Sequence, residues 1–214
     1  MPLSLVLMAG WGMRAQVMQP LAQALKQQGP QSIHILCVDA HTSIPQQADI
    51  YLGWSLGALR LAQEVTCPLI VLGMGARFCD LGGVTQAQLR AFQRQFQRAP
   101  VSAWQSFLQW QAQGDTQVAY QHLLAHQQGD ALAFPAASLA QGLEALAHLN
   151  ISRAELQILG ETDPLISTPD KNPQVQIAGA QQYQIPACGH LLPLTAVPQI
   201  AAYVWEFFQQ NEYL

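Results

Sequence analysis

Charge is what this chain has least of. Only a tenth of its 214 residues are Asp, Glu, Lys or Arg, and their formal balance is −4. That gives no general pull toward nucleic acid or an anionic membrane, so neither is an expected partner. Long apolar runs are missing too: none reaches the roughly 18 residues a membrane-spanning helix needs. No basic stretch precedes the first apolar run, so no signal peptide is read and a cytoplasmic location is expected. The four cysteines, Cys37, Cys67, Cys79 and Cys188, lack metal-ligand spacing. They are read as reduced, buried thiols, not as a disulfide or metal framework. Glutamine is abundant but spread through amphipathic segments, so no low-complexity tract interrupts the chain. What remains is half apolar, enough for one core and too short for two full domains.

One stretch organises the rest. Ile50 to Leu61 reads as a short apolar strand, then Gly53-Trp54-Ser55-Leu56-Gly57, then a helix. This is the G-x-S-x-G pattern of a nucleophile elbow, in the strand-to-helix context that gives it meaning. The turn is so sharp that its serine is expected in strained backbone geometry. The flanking glycines let neighbouring backbone approach without a Cβ clash. The hydroxyl then projects above the sheet, and the N–H of Leu56 faces a developing oxyanion.

The flanking pattern is that of an α/β protein. Ser4–Met8, Ser32–Val38, Ile50–Trp54, Leu69–Leu72, Leu156–Leu159 and Tyr183–Ile185 are short apolar runs that suit about six strands of a mainly parallel sheet. Ala15–Gln28 is helical, with its regular part starting or kinking near Pro20 and its stop at Gly29-Pro30. A second helix runs from Leu56 to Val65, and Pro198–Gln209 closes the chain as an amphipathic helix. Between residues 77 and 150 strand signals vanish. Val84–Ala99, Ala103–Gln113, Gln117–His126 and Leu139–Leu149 are read as helices of an inserted cap, leaving residues 1–76 and 151–214 as the core. The segment Ser167–Ala180 fits either a helical turn or a short strand at Val175–Ile177. Ligands of such sheets bind beyond the carboxyl ends of the strands, where Gly10-Trp11-Gly12, Asp39, Ser55 and Gly73-Met74-Gly75 all fall.

Ser55, Asp163 and His190 then occur in the chain order expected of an α/β-hydrolase, each just after a strand. The chemistry needs all three types. A neutral serine is a poor nucleophile, so a histidine takes its proton and returns it to the leaving group. An acid fixes the imidazole tautomer and stabilises the imidazolium. Asp39, also beyond a strand, is the rival acid. The second oxyanion donor is expected from the loop after the first strand, at the N–H of Trp11. His34, His41, His122, His126 and His148 lack a matching strand-end context. His122 and His126, spaced i, i+4, are read as a solvated helix face and not as a metal pair.

At these residues the chain resembles the pimeloyl-acyl-carrier-protein methyl ester esterases of biotin synthesis, the BioH and BioG type. The likeness is carried by Ala9-Gly10-Trp11-Gly12-Met13, Gly53-Trp54-Ser55-Leu56-Gly57, Gly160–Asp163 and Gly189-His190-Leu191-Leu192-Pro193. In the cap it is patchier: Phe92–Phe96, Ala131-Leu132-Ala133 with Pro135, and Gly142-Leu143 with Leu146. The chain departs from the long-form members, which have His-Gly before the tryptophan, two further N-terminal strands and a longer segment before the elbow. It is similar to the compact forms.

The resemblance implies an α/β-hydrolase fold with a helical cap, and a serine esterase that releases methanol from pimeloyl-acyl-carrier protein. Ser55, His190 and Asp163 would be catalytic, the N–H groups of Trp11 and Leu56 would form the oxyanion hole, and neither metal nor cofactor is expected. Arg90, Arg94 and Arg98, at i, i+4 and i+8, put three of the chain's nine basic residues in one stripe. In the resembled family cap arginines contact the carrier protein, so an acidic acyl carrier protein is the expected partner. A carboxylesterase, thioesterase or carbon–carbon hydrolase of the same fold, and a non-catalytic binding module, stay open beside this reading.

Overall fold

The computed structural model describes residues 3–29, 33–127 and 132–213. In chain order its elements are β1 (Leu3–Met8), a 3-10 turn at Ala15–Met18, α1 (Gln19–Gln28), β2 (Ile33–Val38), β3 (Ile50–Trp54), α2 (Leu56–Glu64) and β4 (Leu69–Leu72). Four helices follow: α3 (Gln86–Arg98), α4 (Pro100–Gln111), α5 (Gln117–Gln127) and α6 (Ala136–His148). The chain then returns to the sheet with β5 (Leu156–Gly160) and β6 (Gln181–Ile185), and ends in α7 (Leu192–Thr195) and α8 (Val197–Gln210). Pro30, Ser32 and Ala131, used above as a helix stop, a strand start and part of the cap likeness, lie outside the described residues.

The six strands form one parallel sheet in the order β2-β1-β3-β4-β5-β6. Its middle is dry: β3, β4 and β5 are buried over their whole length, while the edges β2 and β6 are only partly so. A parallel strand covered on both faces has no solvent side, which is why Leu69-Ile-Val-Leu72 is apolar throughout. From β1 the chain crosses to β2 on one side, and from β3 to β4 on the other. Crossovers of one hand in opposite directions put α1 and α2 on opposite faces of the sheet. Helix α1 packs on α8, and α2 on β3, β4 and the cap helix α6. The two directions diverge between β1 and β3, the point beyond whose carboxyl ends sheets of this kind bind their ligands.

Helices α3–α6 lie between β4 and β5 in the chain and form the inserted cap. Helix α3 opens with a capping box: Thr85 Oγ1 accepts from the Gln88 N–H at 3.2 Å, and Gln88 Oε1 accepts from the Thr85 N–H at 2.8 Å. Its Leu89 and Phe96 are buried, whereas Arg90, Arg94 and Arg98 are exposed. Sheet, flanking helices and cap together are the α/β-hydrolase fold. Among the described residues no helix is long and apolar enough to cross a membrane.

Two local features escaped the periodicity. Helix α7 has four residues with a proline at its start, too short for a 3.6-residue pattern to register. The 167–180 segment contains a 3-10 turn, Pro173–Val175, and no strand. Its tie to the core is Gln157, a polar residue in the buried strand β5. The Gln157 amide donates to the carbonyls of Met74 and Val175, both at 3.0 Å, and its oxygen accepts from the Ile177 N–H and Gln182 Nε2, both at 3.2 Å. A fully paired amide is tolerated in a core, and here it fixes a loop that no local signal identifies.

Candidate active site

The strand-to-helix turn at Ser55 has the expected strain. Ser55 sits at φ 56° and ψ −122°, a left-handed conformation rare for a residue with a Cβ. The surroundings enforce it. The Ser55 N–H donates to the Leu72 carbonyl at 2.9 Å, tying the turn to β4. A Cβ at Gly53 would overlap the backbone of Ala58, and one at Gly57 would lie 2.5 Å from the Ala9 carbonyl oxygen and 2.6 Å from that of Met8. Both are backbone atoms of packed elements, which cannot swing aside. Gly57→Ala is therefore expected to cost about 2–3 kcal/mol of unfolding free energy, at the upper end of overpacking effects, as read by urea denaturation.

His190 follows β6 and Asp163 follows β5. Their side chains are each 1% exposed, and His190 Nδ1 lies 2.7 Å from Asp163 Oδ2. The other carboxylate oxygen accepts from the N–H groups of Leu165 at 2.8 Å and Ile166 at 3.1 Å. Two backbone donors on that oxygen keep the carboxylate from rotating, and a carboxylate can only accept, so Nδ1 carries the proton toward it and Nε2 presents its lone pair. His190 Nε2 is buried and has no hydrogen-bond partner among the described residues. A buried ring nitrogen without a partner is costly in a protein that only has to fold.

Trp54, the residue before the serine, links elbow and histidine. Its indole N–H donates to the His190 carbonyl at 2.9 Å, and the two rings lie 5.6 Å apart. Gly73, just past β4 with φ +55°, gives room to both: a Cβ there would be 3.4 Å from His190 Nδ1 and from Trp54 Cδ1. Gly10 backs onto the serine, where a Cβ would meet Ser55 Cβ at 3.4 Å. The structure thus places Ser55, Asp163 and His190 after β3, β5 and β6, at one end of the sheet. Asp39, the rival acid, is engaged elsewhere: its carboxylate accepts the Ala15 N–H at the start of the 3-10 turn.

Of the two expected oxyanion donors, Leu56 follows the serine in the chain, and Trp11 follows Gly10, the residue that backs onto it. Leu56 is the first residue of α2, where N–H groups have no acceptor within the helix. The Trp11 loop is anchored in the cap. Its indole N–H donates to the Leu139 carbonyl at 2.8 Å, and its ring meets Phe92, Phe96 and Phe107 edge-on, with centroids 5.0–5.7 Å away. So the indole is a buried wall shared by core and cap.

The sequence pattern gives His41 no strand-end context, and the structure corrects this. It lies three residues beyond β2, and its Nε2 accepts the Gly12 N–H at 3.1 Å, next to the Trp11 peptide. Only a neutral imidazole can accept there. Burial, and then the Arg60 charge, push its pKa down to about 4, against a smaller opposing effect of the Ser138 backbone. The unfolded chain therefore binds the proton more readily between about pH 6.5 and 4, and the His41 contribution to stability falls as pH drops through that window. His41→Gln should flatten that part of the wild-type profile of thermal midpoint against pH.

The remaining histidines stay apart from this site. His34, His122 and His148 are exposed, and His126 is half-buried on α5. Among the described residues no group of three His, Cys, Asp or Glu could hold a metal ion. The candidate site is closed: Ser55 is 4% exposed and His190 fully buried. A groove of about 560 Å³ lined by His41, Arg60, Ser138 and Gly142 runs between α2 and α6. Gly142 separates it from the site, for a Cβ there would lie 2.7 Å from the Trp11 ring and 2.9 Å from the Leu56 side chain.

No family model and no curated protein matches this chain. Solved structures do. An esterase from Exiguobacterium antarcticum superposes with a TM-score of 0.73 at 14% identity, over 97% of this chain and 92% of that one. A bromoperoxidase from Bacillus anthracis gives 0.75 at 12% identity, over 98% and 92%. BioG from Haemophilus influenzae gives 0.62 at 14% identity, over 89% of each chain. At such identities the likeness is one of fold, that of α/β-hydrolase esterases and hydrolases.

Proposed function

We propose that this protein is a serine hydrolase that cleaves a small carboxylic ester. One observation carries the reading: a buried, oriented Asp163–His190 pair with an unpartnered Nε2, at the end of the sheet where Ser55 is held in a strained elbow. In this reading His190 Nε2 takes the Ser55 hydroxyl proton as Oγ attacks the ester carbonyl. The N–H groups of Trp11 and Leu56 receive the negative charge on the carbonyl oxygen. The tetrahedral intermediate collapses as His190 returns the proton to the departing alkoxide, leaving an acyl group on Ser55. Water, deprotonated by His190, then attacks the acyl carbonyl and frees the acid and Ser55. Nucleophile, base and oxyanion donors are all protein groups, so this chemistry calls for no cofactor.

The test is direct. The wild type should hydrolyse p-nitrophenyl butyrate and take a fluorophosphonate on Ser55, seen by mass spectrometry of the peptide. A wild type that does neither would leave the fold as a binding module.

A narrower reading is favoured by one surface feature. Arg90, Arg94 and Arg98 are exposed on α3, and none has an ion-pair partner among the described residues. Such a stripe suits an acidic carrier, and with it the methyl ester of pimeloyl-acyl-carrier protein as substrate. Arg94→Glu combined with Arg98→Glu should then raise KM for the carrier-borne ester about tenfold and leave p-nitrophenyl butyrate within twofold. Equal effects on both substrates, or no cleavage of the carrier ester by the wild type, would leave only the small-ester reading.

A further inference from the structure

The turn between α4 and α5 belongs to the cap, yet it rests on both loops that carry the Asp163–His190 pair. Asp115 stands at its centre. One carboxylate oxygen accepts from the Gly189 N–H at 3.0 Å and from the Thr195 hydroxyl at 2.8 Å, and the other accepts from the Leu191 N–H at 2.9 Å. A single side chain of the cap thus holds the backbone N–H on either side of His190. Beside it, the Gly114 carbonyl accepts from the Thr162 hydroxyl at 2.9 Å, one residue before Asp163.

The fit leaves no slack. A Cβ at Gly189 would overlap the Asp115 carboxylate, and a Cβ at Gly114 would overlap the Thr162 carbonyl oxygen. The peptide between His190 and Leu191 is pinned at both ends. Its oxygen is held by the Trp54 indole of the elbow and its N–H by Asp115 of the cap. Where a side chain points is set by the peptides on either side of its Cα. The direction of the His190 ring is therefore fixed jointly by elbow and cap. Three N–H and O–H donors on one carboxylate, with the Cys188 thiol 3.9 Å from the same side chain, make the cap half of this clamp strong.

We propose that Asp115 is a positioning residue of the hydrolase: the docked cap aligns His190, and a cap lifted to admit substrate releases it. Closure over the substrate and alignment of the base become one event, so a site open to water holds a misaligned base. This rests on the hydrolase reading above. Asp115 touches neither substrate nor reacting atoms; it acts through the His190 backbone.

Three variants, Asp115→Ala, Asp115→Asn and Thr195→Val, would be compared with the full-length wild type. The measurements are kcat and KM on p-nitrophenyl butyrate, the thermal midpoint, and the low-field proton resonance of His190 Nδ1–H in its bond to Asp163. Asp115→Ala should lower kcat about 30-fold or more with KM within threefold, and broaden or abolish the low-field signal. Asp115→Asn keeps one carbonyl acceptor and should fall between it and the wild type. Thr195→Val removes one of the three N–H and O–H donors and should lose two- to fivefold. If Asp115→Ala does not fold, the other two carry the comparison. Folded variants with wild-type kcat and an unchanged low-field signal would overturn the proposal. So would a loss of kcat that tracks the thermal midpoint and disappears on cooling, which marks a merely structural role. A wild type that cleaves no ester and takes no fluorophosphonate would remove the hydrolase reading instead. The low-field signal would still report whether Asp115 aligns His190.

Discussion

Ser55→Gly is expected to give a protein without activity that is more stable than its parent. The left-handed backbone at Ser55 costs of order 1–3 kcal/mol for a residue with a Cβ, and glycine adopts it freely. Glycine also loosens the unfolded chain, which costs about 0.4–1 kcal/mol. Relief of strain is the larger effect, so the net gain is about 1 kcal/mol, or about 2–4 °C in the thermal midpoint for a chain of this size. Ser55→Ala separates the two contributions. It keeps the Cβ and hence the strain, so its midpoint should stay within about 2 °C of the wild type. Both variants lose the nucleophile, so kcat should fall by about 10³–10⁶. Calorimetry and ester hydrolysis on the same preparations check both halves. An alanine variant that keeps a tenth of the turnover would remove Ser55 from the mechanism. A glycine variant less stable than the wild type would show that the elbow is not strained.

The elbow could be read in advance because its cause is local. Gly53, Ser55 and Gly57 meet the steric demands of one turn, and those demands are written within five residues. The sheet was legible for a similar reason: strands buried on both faces are continuous apolar runs, and Leu69–Leu72 starts and ends where its pattern does. What escaped depends on partners distant in sequence. His41 is defined by the Gly12 N–H 29 residues before it, and Asp115 by N–H groups 74 and 76 residues after it. No periodicity marks an acceptor whose donors are backbone groups of another loop, because every loop offers such donors. Asp39 shows the converse case. Its place after β2 suited a catalytic acid, but position along the chain does not say which way a carboxylate turns, and it turns to Ala15. The 167–180 segment was ambiguous because the residue that fixes it, Gln157, lies in a strand and looks anomalous there.

Asp163→Asn should keep the architecture of the site and lose about 10⁴ in kcat. The asparagine side chain has two possible orientations. In one, its carbonyl oxygen continues to accept from Leu165 and Ile166, and its amide faces His190 Nδ1. In the other, the carbonyl faces His190 and the amide points at those two N–H groups, donor against donor. The second orientation leaves two buried N–H groups without an acceptor, at about 1–3 kcal/mol each, so the first prevails. The amide then donates to Nδ1, and the imidazole proton moves to Nε2, where the serine proton has to arrive. The ring is in place but in the wrong tautomer, a fault of the size given above when only the acid's charge is removed. KM should change little, since no group facing the substrate has moved, and the thermal midpoint should fall by only a few degrees. Nitrogen-15 shifts of His190 would show the tautomer directly. Asp39→Asn is the matched control: Asp39 supports a backbone turn through Ala15, so this change should alter stability and leave kcat within about threefold. If Asp163→Asn kept kcat within tenfold while Asp39→Asn abolished it, the acid would have to be reassigned against the observed geometry.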